Sequence, residues 1–371
     1  MRNLGNEWRI EQFSQVIQRT DLPWPPARLV VSPTLTEHRM RDPMSLAWML
    51  GLAQLGYPQV YFNELLSLLP RRPLRRALAA ASVVLVSHPY QVRWVRAAMP
   101  PSTPVVMDAP NVEAQLYPPR GTPFSGWLAG AVARSEREAW HLVDVAFACT
   151  ESDADIMRDG GAPEVIVVPN AADLTKFRPA DAADRLAKRC ALGLPVEARL
   201  AVFVASAHRP NIEALEMLEQ QAAAYACESI QLVVVGRVAS RSRRVANVIF
   251  AGEVADVVPW LGAADIAVNP MRSGGGSNLK MTEYLAAGLP VVTTEVGARG
   301  LALRSGLEAE VCDLDSMPAV AGGLFANPAR LEAMAEQARR AAEDRFDWAA
   351  SGKTAAGALG RLADRSRSRP G

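Results

Sequence analysis

Hydrophobic and polar positions come in two series along this chain: short, largely β-branched apolar runs, separated by longer stretches of helical period. Residues 28–32, 60–62, 83–87, 105–108, 143–148 and 165–168 are apolar runs of strand length. Near-continuous runs of this kind suit strands buried on both faces of a parallel sheet. Helical patterns lie between them, notably at 45–55 and 126–141. A second series of runs occupies 200–205, 231–235, 248–251, 266–269, 291–294 and 310–312. Strand and helix in alternation predict an α/β fold with helices on both sheet faces. At 371 residues and 49% hydrophobic content, the chain has material for two such cores. Residues 1–26 read as an amphipathic arm, with Trp8, Ile10, Phe13, Val16 and Ile17 at near-helical spacing before Pro23 and Pro25. The stretch 169–179, bounded by prolines, reads as a linker between domains, and the Arg/Ser-rich residues 365–371 as a disordered tail.

The segment 265–301 carries the most chemistry. An apolar strand ends at Asn269-Pro270, which cannot continue a central strand. Gly274, Gly275 and Gly276 then let the backbone approach a ligand closely. Ser277 and Asn278 are good N-caps, and the amides that follow, from Leu279 on, form an anion site at a helix N-terminus. Lys280 puts a positive charge in the first turn, where the helix dipole favours an acid, which makes sense if an anion docks there. Glu283 lies on the same face, one turn on. The plainer alternative is a solvated Lys280/Glu283 surface pair on an ordinary strand–glycine–helix unit. No Ser or Thr follows Lys280, so the segment is not a P-loop.

This segment resembles the donor-binding motif of GT-B glycosyltransferases of the group 1, family 4 retaining type. VVMDAPNVEAQLY from Val105, ACTESDADIM from Ala148 and FVASAHRPNIEALEML from Phe203 are similar to other stretches of that family, in the same order, as is RFDW from Arg345. The resemblance implies two Rossmann-like parallel-sheet domains facing across a cleft, divided as arm 1–26, acceptor-binding domain 27–180, nucleotide-sugar domain 181–345, return helix 346–364 and tail 365–371. It also implies transfer of a sugar from a nucleotide-diphosphate-sugar to an acceptor hydroxyl with retention of configuration. Lys280 and Glu283 would act at the donor, with Gly274, Gly275, Gly276, Ser277, Asn278 and Leu279 around its diphosphate. Departures are visible too. The family's earlier glutamate falls on Gly275, its Arg/Lys pair on Ser206 and Asn211, and its acceptor-loop glycines are replaced by a charged run at 36–43. Arg272 or Arg209 would then join Lys280 in supplying charge. A sugar-nucleotide epimerase of the same fold, or a catalytically silent partner of a glycosyltransferase, are the alternative readings.

Parallel sheets bind ligands beyond the carboxyl ends of their strands, so the loops after strands hold the remaining candidates. His88 follows the run 83–87 and reads either as an acceptor contact or as a surface histidine. Asp108, Asn111 and Glu113 suit acceptor hydroxyls, although turn chemistry explains Asp and Asn as well. Arg237 follows a strand ending in glycine and suits phosphate. Asn211 reads as the N-cap of a helix at 212–223, and Asp313 and Asp315 as capping residues rather than metal ligands.

The formal charge of +1 argues against nucleic acid as a partner. Four cysteines without Cys-x-x-Cys spacing suggest neither metal nor disulfide, and a reducing cytoplasm is expected. Neither a signal peptide nor a membrane span is expected, and no cofactor beyond the nucleotide sugar as co-substrate. The acceptor would be a glycan, lipid-linked or small molecule. A basic patch around residues 70–77, following the apolar 65–69, reads as a solvated arginine face or as a peripheral contact with anionic lipid at the inner face of the membrane.

Overall fold

The computed structural model describes residues 8–15, 28–40, 72–116, 123–239 and 241–368. The patterns at 45–55 and 60–62, and the apolar part of the basic patch, lie outside these residues. The chain divides into two compact units, Met1–Val168 with Gly352–Gly371, and Pro169–Ser351.

In the first unit, β4 (Val84–Ser87), β5 (Val105–Ala109), β6 (Val145–Ala148) and β7 (Val165–Val167) form a parallel sheet in chain order. Successive residues of β5 point to opposite faces, as a strand requires. Val105 and Met107 pack with Trp140 and Met157, which belong to the helices Pro123–Leu142 and Glu151–Asp159. Val106 packs on the other face with Ala355, Ala358, Leu359 and Leu362 of the helix Trp348–Ser368. Both faces are covered, which is why these strands read as unbroken apolar runs. That last helix corrects the expectation of a disordered tail: it continues to Ser368, and Ser366 Oγ donates to the Ser102 carbonyl (3.0 Å).

The N-terminal region departs further from expectation. Ile10–Gln15 (β1) is a strand, not a helical arm, and pairs in parallel with β3 (Leu35–Met40). The run 28–32, expected in the parallel sheet, is β2 (Arg28–Ser32) and pairs antiparallel with β3 in a separate three-stranded sheet. The reason is local: Ser32 Oγ accepts from the amides of Thr34 (3.3 Å) and Leu35 (3.1 Å) and closes a hairpin turn. The charged run 36–43 is therefore strand as far as Met40. Glu37 and Arg39, two residues apart on one strand face, pair at 3.0 Å.

The second unit holds a seven-stranded sheet in the order β10-β11-β9-β8-β12-β13-β14. These are Arg243–Val245, Val248–Gly252, Ile230–Val235, Arg199–Val204, Ile266–Asn269, Val291–Thr293 and Glu310–Val311 respectively. All neighbours are parallel except the short β10, which pairs antiparallel with β11. From β8 the chain proceeds outward to β9 on one side, while β12, β13 and β14 extend the other. The strand order reverses between β8 and β12, and such a switch point opens a crevice at the carboxyl ends. Here β8 and β12 pair only at Ala201 and Val202, so the two strands part beyond that point. The freed Val204 amide donates instead to the buried Tyr284 hydroxyl (2.8 Å).

The stretch 169–179, expected as a linker, packs into this unit. Ala172 bridges Asp347 in parallel, and Phe177 is buried in the core with Leu285 and Phe346. Buried Arg189 ties the sheet's amino edge. It donates to the carbonyls of Ala263, Val196 and Ala198 and, at 2.7 Å, to Asp265, whose same oxygen accepts the Leu200 amide.

Candidate functional site

The switch point of the second unit gathers most of the expected donor residues. Three loops leave the carboxyl ends there: after β8, after β12 and after β13. Asn269, the last residue of β12, is fully buried and donates to Thr293 Oγ1 and the Gly297 carbonyl. Its carbonyl oxygen Oδ1 accepts from Asn278 Nδ2 (3.4 Å). Asn278 is the N-cap of the helix Leu279–Ala286, yet its side chain does not cap the helix. Engaged with Asn269, it leaves the amides of Leu279 and Lys280 without an acceptor among the described residues. Unpaired first-turn amides are an anion site in waiting.

The glycine loop is shaped by its backbone. Gly274 and Gly276 hold φ of 143° and 59°, conformations that disfavour other residues, whereas Gly275 does not. Arg299 donates twice to the Gly276 carbonyl, at 3.2 and 3.1 Å, and Asn170 Nδ2 donates to Ser277 Oγ (3.0 Å). The loop is thus strapped from two sides, which sequence reading missed because Arg299 and Asn170 lie far along the chain.

Lys280 and Glu283 do not form the surface ion pair considered above. Lys280 is half-buried, its Nζ 4.4 Å from the centre of the Phe203 ring and 2.7 Å from Asn211 Oδ1, to which it donates. Burial brings the amine down from its ordinary 10.5 to about 7, against a smaller opposing pull from Glu283. Glu283 is half-buried as well and accepts no side-chain hydrogen bond among the described residues. Burial raises its carboxyl, with Lys176 and Lys280 pulling the other way. A carboxylate partly withdrawn from water and without a protein donor is a good hydroxyl acceptor.

The expected arginines stand further out. Arg209 is exposed and paired with Glu213 (3.0 Å), Arg237 is exposed 3.8 Å from Glu253, and exposed Arg272 reaches Met217 Sδ. Asn211 is not the helix N-cap. The helix is Arg209–Cys227, His208 is its N-cap, and Asn211 sits in its first turn facing Lys280. Asp313 takes the N-cap position of a short 3-10 turn, Leu314–Ser316, but makes no capping hydrogen bond. No group of three His, Cys, Asp or Glu is arranged to hold a metal among the described residues.

The first unit brings its own candidates to the carboxyl ends of β4 and β5. His88 follows β4 with φ 68° and ψ 156°, a strained backbone for a residue with a Cβ. Its Nδ1 lies 2.9 Å from Glu113 Oε1, and the buried Tyr90 hydroxyl donates to Glu113 Oε2 (3.0 Å). The imidazole is therefore oriented by a carboxylate, leaving Nε2 as its outward atom. Asp108 sits at the end of β5 with its carboxyl raised by burial, and Asn111 is half-buried in the following bend.

Glu136, unremarked in the sequence, holds this cluster together. Buried on the helix Pro123–Leu142, it accepts the amides of Glu113 (2.7 Å) and Ala114 (3.0 Å). Burial lifts its carboxyl from 4.5 to about 7, although both amides favour the ionised form. The folded state thus binds an extra proton between those two values, so this group's contribution to stability falls as pH rises from 4.5 and is a full cost above 7. Glu136→Gln removes the titration. The melting temperature of the variant relative to wild type is expected to climb between pH 5 and 7.5, and a pH-independent difference would show that Glu136 does not titrate there.

Over 96% of this chain and 89% of the other, the structure superposes on sucrose-phosphate synthase from Thermosynechococcus elongatus with a TM-score of 0.71 at 17% identity. HepE of Anabaena, solved in complex with UDP, superposes over 88% of this chain and 86% of its own with a TM-score of 0.66 at 14% identity. The fold is GT-B. Residues 198–344, within the second unit, match the family described as Glycosyl transferases group 1. A GDP-mannose-dependent monoacylated alpha-(1-6)-phosphatidylinositol monomannoside mannosyltransferase of Corynebacterium glutamicum is 30% identical over 52% of this chain and 55% of its own length. A D-inositol 3-phosphate glycosyltransferase of Rhodococcus opacus is 31% identical over 55% of this chain and 50% of its own. The chain spans about half the length of these curated relatives. No described helix is long and apolar enough to cross a membrane.

Proposed function

We propose that this protein transfers a sugar from a nucleotide-diphosphate-sugar to an acceptor hydroxyl, with retention of configuration. The observation that carries the reading is the convergence, at one switch-point crevice, of uncapped helix amides, a half-buried lysine and a half-buried carboxylate without a donor. A relative named for GDP-mannose dependence and a neighbour solved with UDP support it.

As the bond from the sugar's anomeric carbon to the diphosphate breaks, negative charge grows on the departing phosphate. The amides of Leu279 and Lys280 and the Lys280 ammonium meet that charge with donors already in place, so little reorganisation is required as it develops. Glu283 accepts from a hydroxyl of the nucleotide ribose. Arg209 and Arg237, exposed but paired with Glu213 and Glu253, can turn to phosphate only by leaving those carboxylates, which leaves Arg272 as the more available guanidinium. In the first unit, His88, Asp108 and Asn111 hydrogen-bond acceptor hydroxyls while buried Glu113 holds the His88 ring, the acceptor being a glycan, a lipid-linked molecule or a small molecule. With retention, the leaving phosphate itself takes the acceptor proton.

The test uses UDP- and GDP-sugars with wild type and Glu283→Gln. Wild type should be stabilised thermally by one of them. The variant should lose about 1.5–3 kcal/mol of donor binding as a charge-assisted hydrogen bond disappears, while keeping its fold. Equal donor affinity and turnover in the two proteins would sink the assignment of Glu283.

A further inference from the structure

The first turn of the helix that follows β8 meets Lys280 directly, through Asn211. Asn211 Nδ2 donates to the Ser206 carbonyl and to Ser206 Oγ, both at 3.1 Å. A backbone carbonyl can only accept, so it decides which end of the amide faces it: the NH2 group turns to Ser206 and Oδ1 turns to Lys280. Oδ1 then accepts from Nζ at 2.7 Å. The lysine's other surroundings offer far less. Phe203 presents its ring face at 4.4 Å, and Met271 Sδ lies 4.0 Å away.

We infer that Asn211 is a positioning residue, an amide locked by the Ser206 carbonyl that fixes the Lys280 ammonium for the donor diphosphate. The inference rests on the donor-site reading above. An ammonium has three N–H groups. One is committed to Asn211, which sets the direction of the remaining two and keeps the charged form supported before an anion arrives. Ser206 and Asn211 thereby contribute to diphosphate binding through Lys280 and not by touching it.

Charged groups around the lysine are few and placed. Glu283 shares its helix, and Lys176 lies near Glu283. Arg209 pairs with Glu213, which also accepts from Ser273 Oγ (2.7 Å) and lies near Arg272. Asn211 is the group in hydrogen-bond contact with Nζ, so changing it should alter the proton affinity of the lysine in a direction set by the new side chain. Asn211→Leu removes the acceptor and disfavours the ammonium. Asn211→Asp, of nearly the same shape, supplies a carboxylate, favours the ammonium and competes with phosphate for it.

The experiment is calorimetric titration of the full chain with UDP and GDP from pH 6 to pH 9, in buffers of different ionisation enthalpy. Wild type should lose affinity as pH rises through the range where Lys280 gives up its proton, with proton uptake on binding. In Asn211→Leu the loss should begin at lower pH, by about one pH unit. In Asn211→Asp the affinity should be about tenfold weaker at pH 6 and nearly flat to pH 9, with no proton uptake. Opposite shifts in the two variants support the positioning role, because a merely structural residue would move neither profile. Affinity that breaks at the same pH in all three proteins overturns it. Absence of UDP and GDP binding by wild type, or undiminished binding by Lys280→Ala, removes the donor-site reading itself and this inference with it.

Discussion

Replacing Lys280 with alanine is expected to lower kcat/KM for the nucleotide-sugar by roughly 30- to 1,000-fold, about 2–4 kcal/mol of transition-state stabilisation. The size follows from where the charge sits. A cation in bulk water is screened, but Nζ is half-buried between Phe203 and Asn211, where an anion replaces the solvent it has lost. The ground state contributes to the effect as well. With its amine brought down to about 7, Lys280 is only partly protonated near neutral pH before a phosphate arrives, so part of its charge is completed by binding. Donor affinity and turnover should therefore fall together in the variant. The stability effect should have the opposite sign. The unfolded chain binds a proton at this lysine up to 10.5, the folded one only up to about 7, so the group opposes folding below that range and less so as pH rises through it. Steady-state kinetics together with a melting curve measure both effects. Wild-type turnover with unchanged stability would reduce Lys280 to an incidental surface charge.

Arg189→Ala should be strongly destabilising, by about 3–5 kcal/mol. The guanidinium is buried, spends its N–H groups on three carbonyls and one carboxylate, and so joins the starts of β8 and β12 to the helix Ala182–Leu192. Its removal strands Asp265 in a poorly solvated place with only the Leu200 amide as a close donor. Arg185 lies 3.9 Å from the other Asp265 oxygen, at the limit of an ion pair, and cannot span the lost carbonyls. Urea unfolding followed by circular dichroism gives the value, and a loss under 1 kcal/mol would mean the network is dispensable. The change is far from the crevice along the strands, at their opposite ends. Donor affinity of the folded fraction should therefore survive, which separates a stability effect from a site effect.

Much of the α/β architecture was legible because burial on both sheet faces leaves a direct mark: a run of consecutive apolar residues. All six runs expected in the second unit became strands of its sheet, at nearly the expected positions. The same logic failed at the N-terminus. Ile10–Gln15 and Leu35–Met40 are strands with exposed or half-buried polar residues, and their pairing depends on partners far apart in sequence. A helical spacing of five apolar residues therefore suggested the wrong element.

The candidate site divides the same way. Gly274, Gly276, Lys280 and Glu283 stood out in the sequence, because glycine conformation, a cation in a helix's first turn and a three-residue spacing are local properties. What each side chain touches is not local. Asn278 looked like a cap and instead bonds Asn269, Asn211 looked like a cap and instead holds Lys280, and Glu136 carried no signal at all while clamping the backbone at Glu113. Sequence by itself determined the strands, the glycine loop and the charges it presents, since these follow from periodicity and backbone freedom. Only the tertiary structure decided which amides remain unpaired and which charges lose water, because both depend on the parting of β8 from β12, a consequence of strand order that no local pattern records.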